Sequence, residues 1–545
     1  MKRKTFRTAV VAFIICALAL SGSGFGALAA EIDPSATVGE GEAGTETPVD
    51  DNALPESYSS RDLGYVTSVK DQTYSSCWAY GSLGTLESLL LRSGESIDSM
   101  SANHLNVWAT TRSDGTGWIR TVQDDGFPVI ALGYFTSWQG GVPESDLGDF
   151  PLTDNAKGED APVGMAKYGI TSAKYLSKSR PEEIKQEIME HGGVFTSYSH
   201  AASCMSKSNI SYYMPPTFAG SYQGHSIEVV GWNDNYPRSS FTGDAGRPKN
   251  NGAWLIKNSW GDNNSLGGYF WMSYEDANIF ANRYVPSYAL TGYEKIDDSK
   301  KLIQNEIYGA TYEFRYVHDT NLTYLNRLSF DDDYNTIDKI VFKTEALGAD
   351  YTLYYVPDGN DGKPTADSAA WTKLYNGTVD YQGYICADIE DFVPSAKNGS
   401  IAVTIDTSHT DAENSFGVGE WLTSGGKYVF INSSHRNESY IMQNGNMQDL
   451  LDWYKENEND DMGGTFVIKA ITTASFEPTL LGDADLDGVV NVRDVTVIQR
   501  HIAEYKKLKG VAAANADYNR DGEINIKDAT AVQRLLAEYD NVIEE

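Results

Sequence analysis

The sequence is poor in cysteine and in basic residues, and each shortage excludes a class of function. Only 4 of its 545 residues are Cys, which is too few for a scaffold built on disulfide bonds. The chain has 43 Lys and Arg against 76 Asp and Glu, for a formal net charge of −33. Because this negative charge repels phosphate groups, we expect neither nucleic acid nor an anionic membrane surface as a partner.

Long apolar runs are scarce as well. One covers residues 9–20, follows four basic residues and precedes a small-residue cleavage site at residues 27–29. This pattern predicts a secretory signal peptide over residues 1–29 that is removed on export. No later run approaches the roughly 20 apolar residues that a membrane span needs. We therefore expect a secreted, extracellular protein without membrane insertion.

Shifts in composition predict a multidomain chain. Residues 30–53 are acidic and nearly free of large apolar side chains, which indicates a flexible leader. Residues 54–290 combine a helical stretch with later strand-like runs, a pattern typical of an α+β domain. Residues 291–474 consist of short β-branched runs between turn residues, which predicts an all-β sandwich. A linker at residues 475–480 then precedes a small α domain at residues 481–545.

The strongest chemical signal is a cysteine at the start of a helix. Ser75 or Ser76 can cap this helix, which puts Cys77 in its first turn. The unpaired N–H groups and the positive end of the helix dipole lower the pKa of a cysteine placed there. Small and apolar residues recur on one face of the same helix, at Ala79, Leu83, Leu86 and Leu90.

Three other polar residues, one before Cys77 in the sequence and two after it, complete a nucleophilic site. His225 begins an extended apolar strand, and beside Cys77 its neutral ring would take the thiol proton and give an ion pair. Asn258 offers a side-chain carbonyl to one ring N–H, and Trp260 shields that hydrogen bond from water. Gln72 supplies an amide donor which, with the backbone N–H of Cys77, binds a developing oxyanion, an effect of about 3 kcal/mol.

These residues, in this order, resemble the papain-like cysteine peptidases over about residues 54–274. The resemblance implies a two-lobed α+β fold in which a helical lobe carrying Cys77 faces a β lobe carrying His225 and Asn258. It assigns Cys77 as the nucleophile, His225 as the acid and base, Asn258 as the residue that orients His225, and Gln72 as an oxyanion donor. The loop at residues 125–130 then helps to set the side-chain pocket. The expected substrate-binding residues are Trp260 and Gly126.

The loop before the nucleophile departs from that family. Between Gln72 and Cys77 it is one residue shorter than usual and lacks the usual glycine, and Tyr74 lies near the position of a family cysteine. The oxyanion geometry is therefore open. The leading hypothesis is a cysteine endopeptidase, and the alternatives are a non-catalytic adhesion or binding component that keeps the fold, or a relative that transfers acyl groups to amines.

The other cysteines and histidines have no chemically suggestive neighbours at a useful spacing. We read Cys204 and Cys386 as buried or incidental, without a disulfide between them. The histidines predicted to be structural are His104, His191, His200 and His435.

A repeat with a period of 34 residues fills the C-terminal region. Each copy has side-chain oxygens at positions 1, 3, 5, 9 and 12, a backbone carbonyl at position 7 and a glycine at position 6, as in the calcium loop of an EF-hand. Carboxylates so crowded repel one another without a cation, so each loop predicts one Ca²⁺. The expected ligands are Asp483, Asp485, Asp487, the Val489 carbonyl, Asn491 and Asp494, and then Asp517, Asn519, Asp521, the Glu523 carbonyl, Asn525 and Asp528.

The last ligand of each loop is Asp rather than Glu, and each loop is followed by one helix. Over residues 481–539 this pattern resembles a dockerin, the paired loop and helix module that binds cohesin domains of cellulosome scaffolds. The resemblance implies a cohesin partner, a cell-surface cellulosome location and a link to polysaccharide breakdown. The helix residues expected to contact cohesin are Val492, Arg493, Gln499, Arg500, Ile526, Lys527, Gln533 and Arg534.

The central domain weakly resembles the lectin-like β-sandwich that follows some bacterial papain-like peptidase domains. Carbohydrate is therefore a candidate partner, with a spacer role as the alternative. The aromatic residues that could stack on sugar rings, or else pack in the core, are Tyr354, Tyr355, Trp371 and Trp421.

Overall fold

A computed structural model gives the fold. It describes residues 54–148, 150–281, 286–316, 320–330, 334–419, 430–431, 436–443, 445–457, 464–474, 476, 478–503, 505–506, 508 and 510–537. The predicted signal peptide and leader lie outside these residues. We refer to the predicted ranges 54–290, 291–474 and 481–537 as the N-terminal, central and C-terminal units.

The N-terminal unit mixes helices and strands, as its composition predicts. Its helices are α1 (Cys77–Arg92), α2 (Ala102–Trp108), α3 (Pro128–Thr136), α4 (Glu144–Leu147) and α5 (Pro181–His191). Its strands are β1 (Ser57–Ser59), β2 (Gly117–Trp118), β3 (Tyr168–Leu176), β4 (Val194–His200), β5 (Ser211–Tyr212), β6 (Gln223–Asn233), β7 (Ala253–Lys257), β8 (Tyr269–Ser273) and β9 (Ser287–Lys295), the last of which crosses the predicted boundary at residue 290.

The central unit is almost entirely β-structure. Its one α-helix among the described residues is α6 (Leu450–Asn457). Its strands are β10 (Lys300–Ile303), β11 (Ala310–Tyr316), β12 (Asn321–Ser329), β13 (Thr336–Thr344), β14 (Asp350–Pro357), β15 (Thr372–Thr378), β16 (Gly383–Phe392), β17 (Asn398–Asp406), β18 (Asn414–Gly419), β19 (Phe430–Ile431), β20 (Ser439–Gln443), β21 (Asn446–Asp449), β22 (Thr465–Phe466) and β23 (Ile468–Thr473).

Two lobes form the N-terminal unit. The buried helix α1 packs against α2 and α3 on one side and against the antiparallel strands β9, β4 and β6 on the other. All four predicted face residues of α1 are buried, together with most of the rest of the helix. Helix α5 covers the sheet and begins with Pro181 followed by two acidic residues, which is a favourable start for a helix.

The central unit is a sandwich that is continuous with the N-terminal sheet. Strands β15, β14, β17, β12, β20 and β21 form one sheet, and its core packs on the layer formed by β10, β23, β13 and β16. Strand β16 then pairs with β3, with Gly383 opposite Lys174 and Tyr384 opposite Ala173. The result is one sheet of 12 strands shared by the two units.

The two units also share a hydrophobic core. Trp108 and Tyr134 of the N-terminal unit belong to the same buried cluster as Tyr308, Val341 and Tyr384 of the central unit. Close packing fixes this junction, because a Cβ on residue 133, a glycine, would lie 2.0 Å from the carbonyl oxygen of Tyr308. The two units therefore form one continuous body.

A buried ion pair lies beside this junction. Lys469 Nζ is 2.6 Å from Glu306 Oε1, and both side chains are fully buried. Glu306 also accepts a hydrogen bond of 2.6 Å from the backbone N–H of Gly309, and Lys469 donates one of 2.7 Å to Gln304. These bonds hold the segment that enters the central unit.

The C-terminal unit has its own small core. Its helices are α7 (Val492–Ile502), α8 (Gly510–Ala516) and α9 (Ile526–Leu536), and α7 packs on α9. The core contains Val495 and Ile498 of one repeat and Ala529 and Val532 of the other. Each repeat thus supplies half of a core that neither could form alone. None of the helices in the described part of the chain has the length and apolarity to cross a bilayer.

Candidate active site and calcium loops

Cys77 is the first residue of α1, at the N-terminus of a buried helix. Ser76 occupies the cap position, but its side chain makes no capping bond and donates instead to the carbonyl of Thr73. The shortened loop turns at Tyr74, whose φ of 56° lies in the left-handed region where glycine is usual. Tyr74 therefore supplies the turn for which the sequence lacks a glycine, and its hydroxyl donates a 2.6 Å hydrogen bond to Asp154.

Two glycines allow α1 to lie directly on β6. A Cβ on residue 81 would be 3.2 Å from the backbone nitrogen of Ile227, and one on residue 84 would be 2.4 Å from the carboxylate of Glu228. This close approach brings Cys77 into contact with the backbone of Ser226, the residue that follows His225. The structure thus places the predicted nucleophile against the residue that follows the predicted base.

The imidazole of His225 is hydrogen-bonded to the side chain of Asn258. Its Nε2 is 2.8 Å from Asn258 Oδ1, so the tautomer with a proton on Nε2 donates to the amide and leaves Nδ1 as the acceptor. Trp260 stacks on the imidazole with the ring centroids 4.4 Å apart and the planes 26° apart. β6 carries His225, and Asn258 follows the adjacent strand β7, so one sheet fixes both side chains.

Burial shifts the pKa values of Cys77 and His225 so that both groups favour their neutral forms. It raises the pKa of the Cys77 thiol to about 11, although the backbone of Ser226 lowers that pKa. It lowers the pKa of His225 to about 4, against the opposing effect of the Asn258 hydrogen bond. The helix position alone therefore does not give the thiolate expected from the sequence, because desolvation exceeds it. Mutual attraction between thiolate and imidazolium would have to supply the difference.

Gln72 is held by hydrogen bonds on both sides of its amide. Its Oε1 accepts a 2.7 Å bond from the Ser259 hydroxyl, and its Nε2 donates a 3.1 Å bond to the Tyr74 carbonyl. An amide nitrogen has two hydrogens, so one remains to be donated elsewhere. The backbone N–H of Gln72 also donates to the Ser259 carbonyl at 2.7 Å. The amide is thereby tied to the residue that follows Asn258.

Gly126 lies against the indole of Trp78. A Cβ at this position would be 2.3 Å from the ring, so only glycine allows the loop to pass there. Arg120 supports the loop from below, because its guanidinium donates to the carbonyls of Asp124 and Asp125 and lies 5.1 Å from the Trp78 ring. The predicted pocket loop is thus anchored to the residue next to Cys77.

A buried ion cluster behind the site was not predicted from the sequence. Lys257, the residue before Asn258, is 3.3 Å from Glu228 Oε2 and 3.9 Å from Glu87 Oε2. Lys70 is 3.3 Å from Glu87 Oε1. Burial raises the pKa of Glu228. Burial also acts to lower the pKa of Lys257, but the carboxylates of Glu228 and Glu87 outweigh this effect, so the pKa of the lysine is raised. The cluster joins α1 to β6 and β7. A lysine directly before Asn258 in the sequence gives no indication that it belongs to a buried ion cluster.

His200 is a second histidine of the site, although the sequence suggested a purely structural role. Its ring centroid is 6.5 Å from that of His225 and 4.9 Å from that of Trp260. Its Nδ1 is 3.0 Å from the hydroxyl of Tyr198. Only the pairing of β4 with β6 brings it there, and spacing along the chain does not reveal that pairing.

The remaining histidines and cysteines have structural surroundings where they are described. Both ring nitrogens of His104 are hydrogen-bonded inside the protein, to Tyr134 and to the Pro162 carbonyl. His435 lies outside the described residues. Cys204 is buried and Cys386 is half-buried, and both are free thiols.

The first repeated loop gathers its acidic side chains. Carboxylate oxygens of Asp483, Asp485 and Asp487 lie within 4.8 Å of one another. Backbone N–H groups of Asp487 and Gly488 donate to Asp483, while those of Asp485 and Asn491 donate to Asp494. Desolvation and the neighbouring carboxylates raise the pKa of Asp485. A loop so arranged fits a hard cation with oxygen ligands.

The second loop repeats this arrangement. Oxygens of Asp517, Asp521 and Asp528 lie within 4.8 Å of one another. Asn525 caps α9 through its side-chain oxygen, as Asn491 caps α7, and the amide nitrogen of each donates to the carbonyl two residues earlier. These carbonyls belong to Glu523 and Val489, two of the predicted ligands.

The predicted cohesin-contact residues are all solvent-exposed. Val492 is 70% and Ile526 is 61% exposed, so the two repeats present equivalent apolar side chains to solvent.

The predicted sugar-stacking residues of the central unit are mostly engaged in packing. Tyr355 is buried, and Tyr354 and Trp371 are half-buried with their rings 5.5 Å apart. Trp421 lies outside the described residues.

Three family models match the chain in separate stretches. The papain family cysteine protease model matches residues 54–289, the lectin like domain model matches residues 302–472, and the dockerin type I domain model matches residues 481–537. This is the order predicted from the sequence.

Curated relatives match over about the length of the N-terminal unit. Procathepsin L of Felis catus is 24% identical over 227 residues, which is 41% of this chain and 62% of that protein. Cathepsin K of Mus musculus is 25% identical over 224 residues, which is 41% of this chain and 61% of that protein. The chain thus spans about three fifths of the length of these relatives.

Solved structures extend the match to the central unit. The clostridial cysteine protease Cwp84 after propeptide cleavage has a TM-score of 0.67 at 32% identity, covering 77% of this chain and 99% of that chain. The protease and lectin-like domains of Cwp84 from Clostridium difficile have a TM-score of 0.67 at 31% identity, covering 77% and 89%. The chain therefore belongs to the papain family of cysteine proteases. A lectin-like β domain and a dockerin follow its protease domain, which confirms the predicted fold class.

Proposed function

We propose that the protein is a secreted cysteine endopeptidase that a calcium-binding dockerin attaches to a cellulosome scaffold. The observation that supports this most directly is the 2.8 Å bond between His225 Nε2 and Asn258 Oδ1, beside the backbone that Cys77 contacts. That bond fixes the tautomer in which Nδ1 accepts a proton. For the three domains we propose the ranges predicted from the sequence, with the protease domain at residues 54–290.

In the first half of the reaction, His225 Nδ1 takes the thiol proton as Cys77 Sγ attacks the peptide carbonyl. The carbonyl oxygen becomes an oxyanion, which the Cys77 backbone N–H and the second Gln72 amide hydrogen stabilise. The C–N bond then breaks, and His225 returns its proton to the leaving amine. Cys77 is left as a thioester.

In the second half, His225 takes a proton from water, and the hydroxyl attacks the thioester. The C–S bond breaks, Cys77 recovers its proton, and a carboxylic acid is released. Asn258 keeps the imidazole oriented during both steps, and Trp260 covers their hydrogen bond. Trp260 and Gly126 bound the cleft and contact the substrate.

For attachment, each repeated loop holds one Ca²⁺ through its carboxylates and through the carbonyl of Val489 or Glu523. The ion neutralises the crowded acids and fixes the loop that begins α7 or α9. The exposed faces of those helices, with Val492 and Ile526 at their starts, bind a cohesin domain. The near-identity of the two repeats allows binding in two orientations.

The test is labelling with a thiol-directed epoxide together with casein cleavage, using the full chain. Cys77→Ala should abolish Cys77-dependent labelling and lower cleavage roughly ten-thousandfold, as loss of a catalytic nucleophile does. Cys204→Ala, which removes another free thiol, is the matched control and should retain both. Circular dichroism of the variants monitors folding.

The rival functions give other results. A folded wild-type protein with no Cys77-dependent labelling and no cleavage would be a non-catalytic binding component. Products joined to added amines in preference to water, seen by mass spectrometry, would indicate an acyl transferase. Binding of the central domain to carbohydrate is a separate question, which glycan-array binding of the full chain addresses.

A further inference from the structure

Among the described residues, a second imidazole, that of His200, lies near His225 and Trp260. In the antiparallel pairing of β4 with β6, Tyr198 lies opposite His225 and His200 lies opposite Gln223. Side chains of directly opposed residues, and of residues two apart on one strand, share one face of a sheet. His200 therefore projects from the same face as the catalytic base.

Aromatic contacts fix the position of this ring. His200 stacks on the fully buried Tyr212 with a centroid distance of 5.6 Å and meets Trp260 edge to face at 4.9 Å. The Tyr198 hydroxyl lies 3.0 Å from Nδ1 and makes no other hydrogen bond among the described residues. With that hydroxyl as the donor, the proton of the imidazole is on Nε2.

The other ring nitrogen is available for a ligand. In the described part of the chain, no hydrogen bond is made to His200 Nε2, and the side chain is half-buried. Burial lowers the pKa of His200 to about 4, so the ring is neutral at pH 5 and above. A neutral imidazole held in this way offers one N–H donor to the cleft.

The position along β6 indicates which part of a substrate reaches it. Cys77 contacts Ser226, after His225, whereas His200 is opposite Gln223, before His225. Along the direction of β6, the nucleophile and the second imidazole thus lie on opposite sides of the base. Because His225 must protonate the leaving amine, the peptide beyond that amine runs on the side of His200.

Resting on the proposed function, we propose that His200 is a specificity-determining residue that binds the leaving half of the peptide, its Nε2–H donating to a backbone carbonyl. The centroids of the two imidazoles are 6.5 Å apart. An extended chain advances about 3.3 Å per residue, so the carbonyl belongs to the first or second residue after the cleaved bond.

The first test compares two substrates with the same acyl part. One is a casein peptide that the wild type cleaves, and the other ends at the cut in an arylamide, without residues beyond it. His200→Phe keeps an aromatic ring and removes the N–H. It should lower kcat/KM about fivefold for the peptide, mainly through KM, and leave the arylamide within twofold, since one neutral hydrogen bond contributes about 1 kcal/mol.

Other results of this test would overturn either the proposal or the proposed function. Equal losses on the two substrates would overturn the proposal, because His200 would then only support Trp260 and His225. No loss on either would overturn it too. A wild-type protein that cleaves neither substrate would instead defeat the proposed function. His409→Phe, at an exposed histidine of the central unit, is the matched control and should change neither rate.

The second test is independent of the fraction of folded enzyme. An amine that attacks the Cys77 thioester forms a new amide and releases the thiol, from the site that the leaving half occupied. The wild type should favour glycylglycinamide over methylamine in this capture, because only the former has backbone carbonyls. His200→Phe should reduce that preference about fivefold, and an unchanged preference would overturn the proposal.

Discussion

The central unit and the dockerin are joined to the rest of the chain in opposite ways. The central unit shares a 12-stranded sheet and a hydrophobic core with the protease domain. The dockerin has a separate core, which among the described residues contains none of the side chains of the protease or central units. One junction resembles the interior of a single domain, and the other resembles a tether.

Because of this difference, the part of the chain that forms the active site is separate from the part that would attach it to a scaffold. A β domain fused through Tyr308 and Tyr384 cannot swing relative to the active site, so the cleft and the central unit move as one body. A dockerin on a short segment can bind a scaffold without constraining that body. Site geometry is thus kept independent of attachment. Cutting the chain at the first junction should destroy the fold, and cutting it at the second should not.

Truncation gives the largest expected effect. A chain ending at residue 295 exposes Trp108 and Tyr134 and removes β16, which pairs with β3. We expect it to be insoluble or unfolded, with no thermal transition by calorimetry. A chain ending at residue 476 keeps the shared core and should retain the melting temperature and the casein cleavage of the full protein. A stable, active 54–295 fragment would contradict the comparison.

Removal of calcium is expected to affect the dockerin and to leave the protease and central units unchanged. Without a cation, the carboxylates of Asp483, Asp485 and Asp487 repel one another, and the loop that starts α7 loses its ligand. EDTA should abolish the dockerin transition in calorimetry and cohesin binding, while casein cleavage persists. Asp494→Ala should mimic EDTA for the first loop. Scaffold binding that is unchanged in EDTA would refute the calcium assignment.

The buried ion pair of the fused junction tests the comparison at a single residue. Lys469→Met leaves the carboxylate of Glu306 buried without its cation and should destabilise the fused body by about 3–5 kcal/mol in urea unfolding. Lys527→Met is the matched change in the dockerin, where the exposed lysine is 3.7 Å from Asp521. Its cost should be below about 1 kcal/mol. Equal costs would show that the ion pair beside the fused junction is no more buried than an exposed pair of the dockerin.

Local patterns were enough to predict the elements that carry most of the candidate site. The helix at Cys77, the apolar strand at His225 and the acidic loops each depend on neighbours in the sequence, and the structure has them at those positions. The pairing of His225 with Asn258 also followed, because their roles come with the resemblance. Their hydrogen bond is a finding of the structure.

Long-range register accounts for what the sequence did not reveal. His200 reaches the cleft only through the register of β4 on β6, and Glu228 meets Lys257 only through that of β6 on β7. The sheet that the two units share continues from one to the other through a two-residue pairing between β16 and β3. A pattern of alternating residues defines the faces of a strand but not its neighbour, so these contacts have no local signal.

A decrease in pH is expected to have the smallest effect, and it lowers the stability of the fused protease and central units. Burial lowers the pKa of His225 from 6.5 to about 4, so between these values the unfolded chain binds a proton that the native protein does not. Stability therefore falls as the pH decreases from 6.5 to 4, by about 3 kcal/mol in total. His225→Gln should remove this part of the slope in urea unfolding at pH 7 and pH 4.5. In the wild type, kcat/KM should also fall as the pH decreases through about 4, since a protonated His225 cannot accept the thiol proton. Equal slopes for wild type and variant would mean that water reaches the imidazole, and the cleft would then be as open as the dockerin surface.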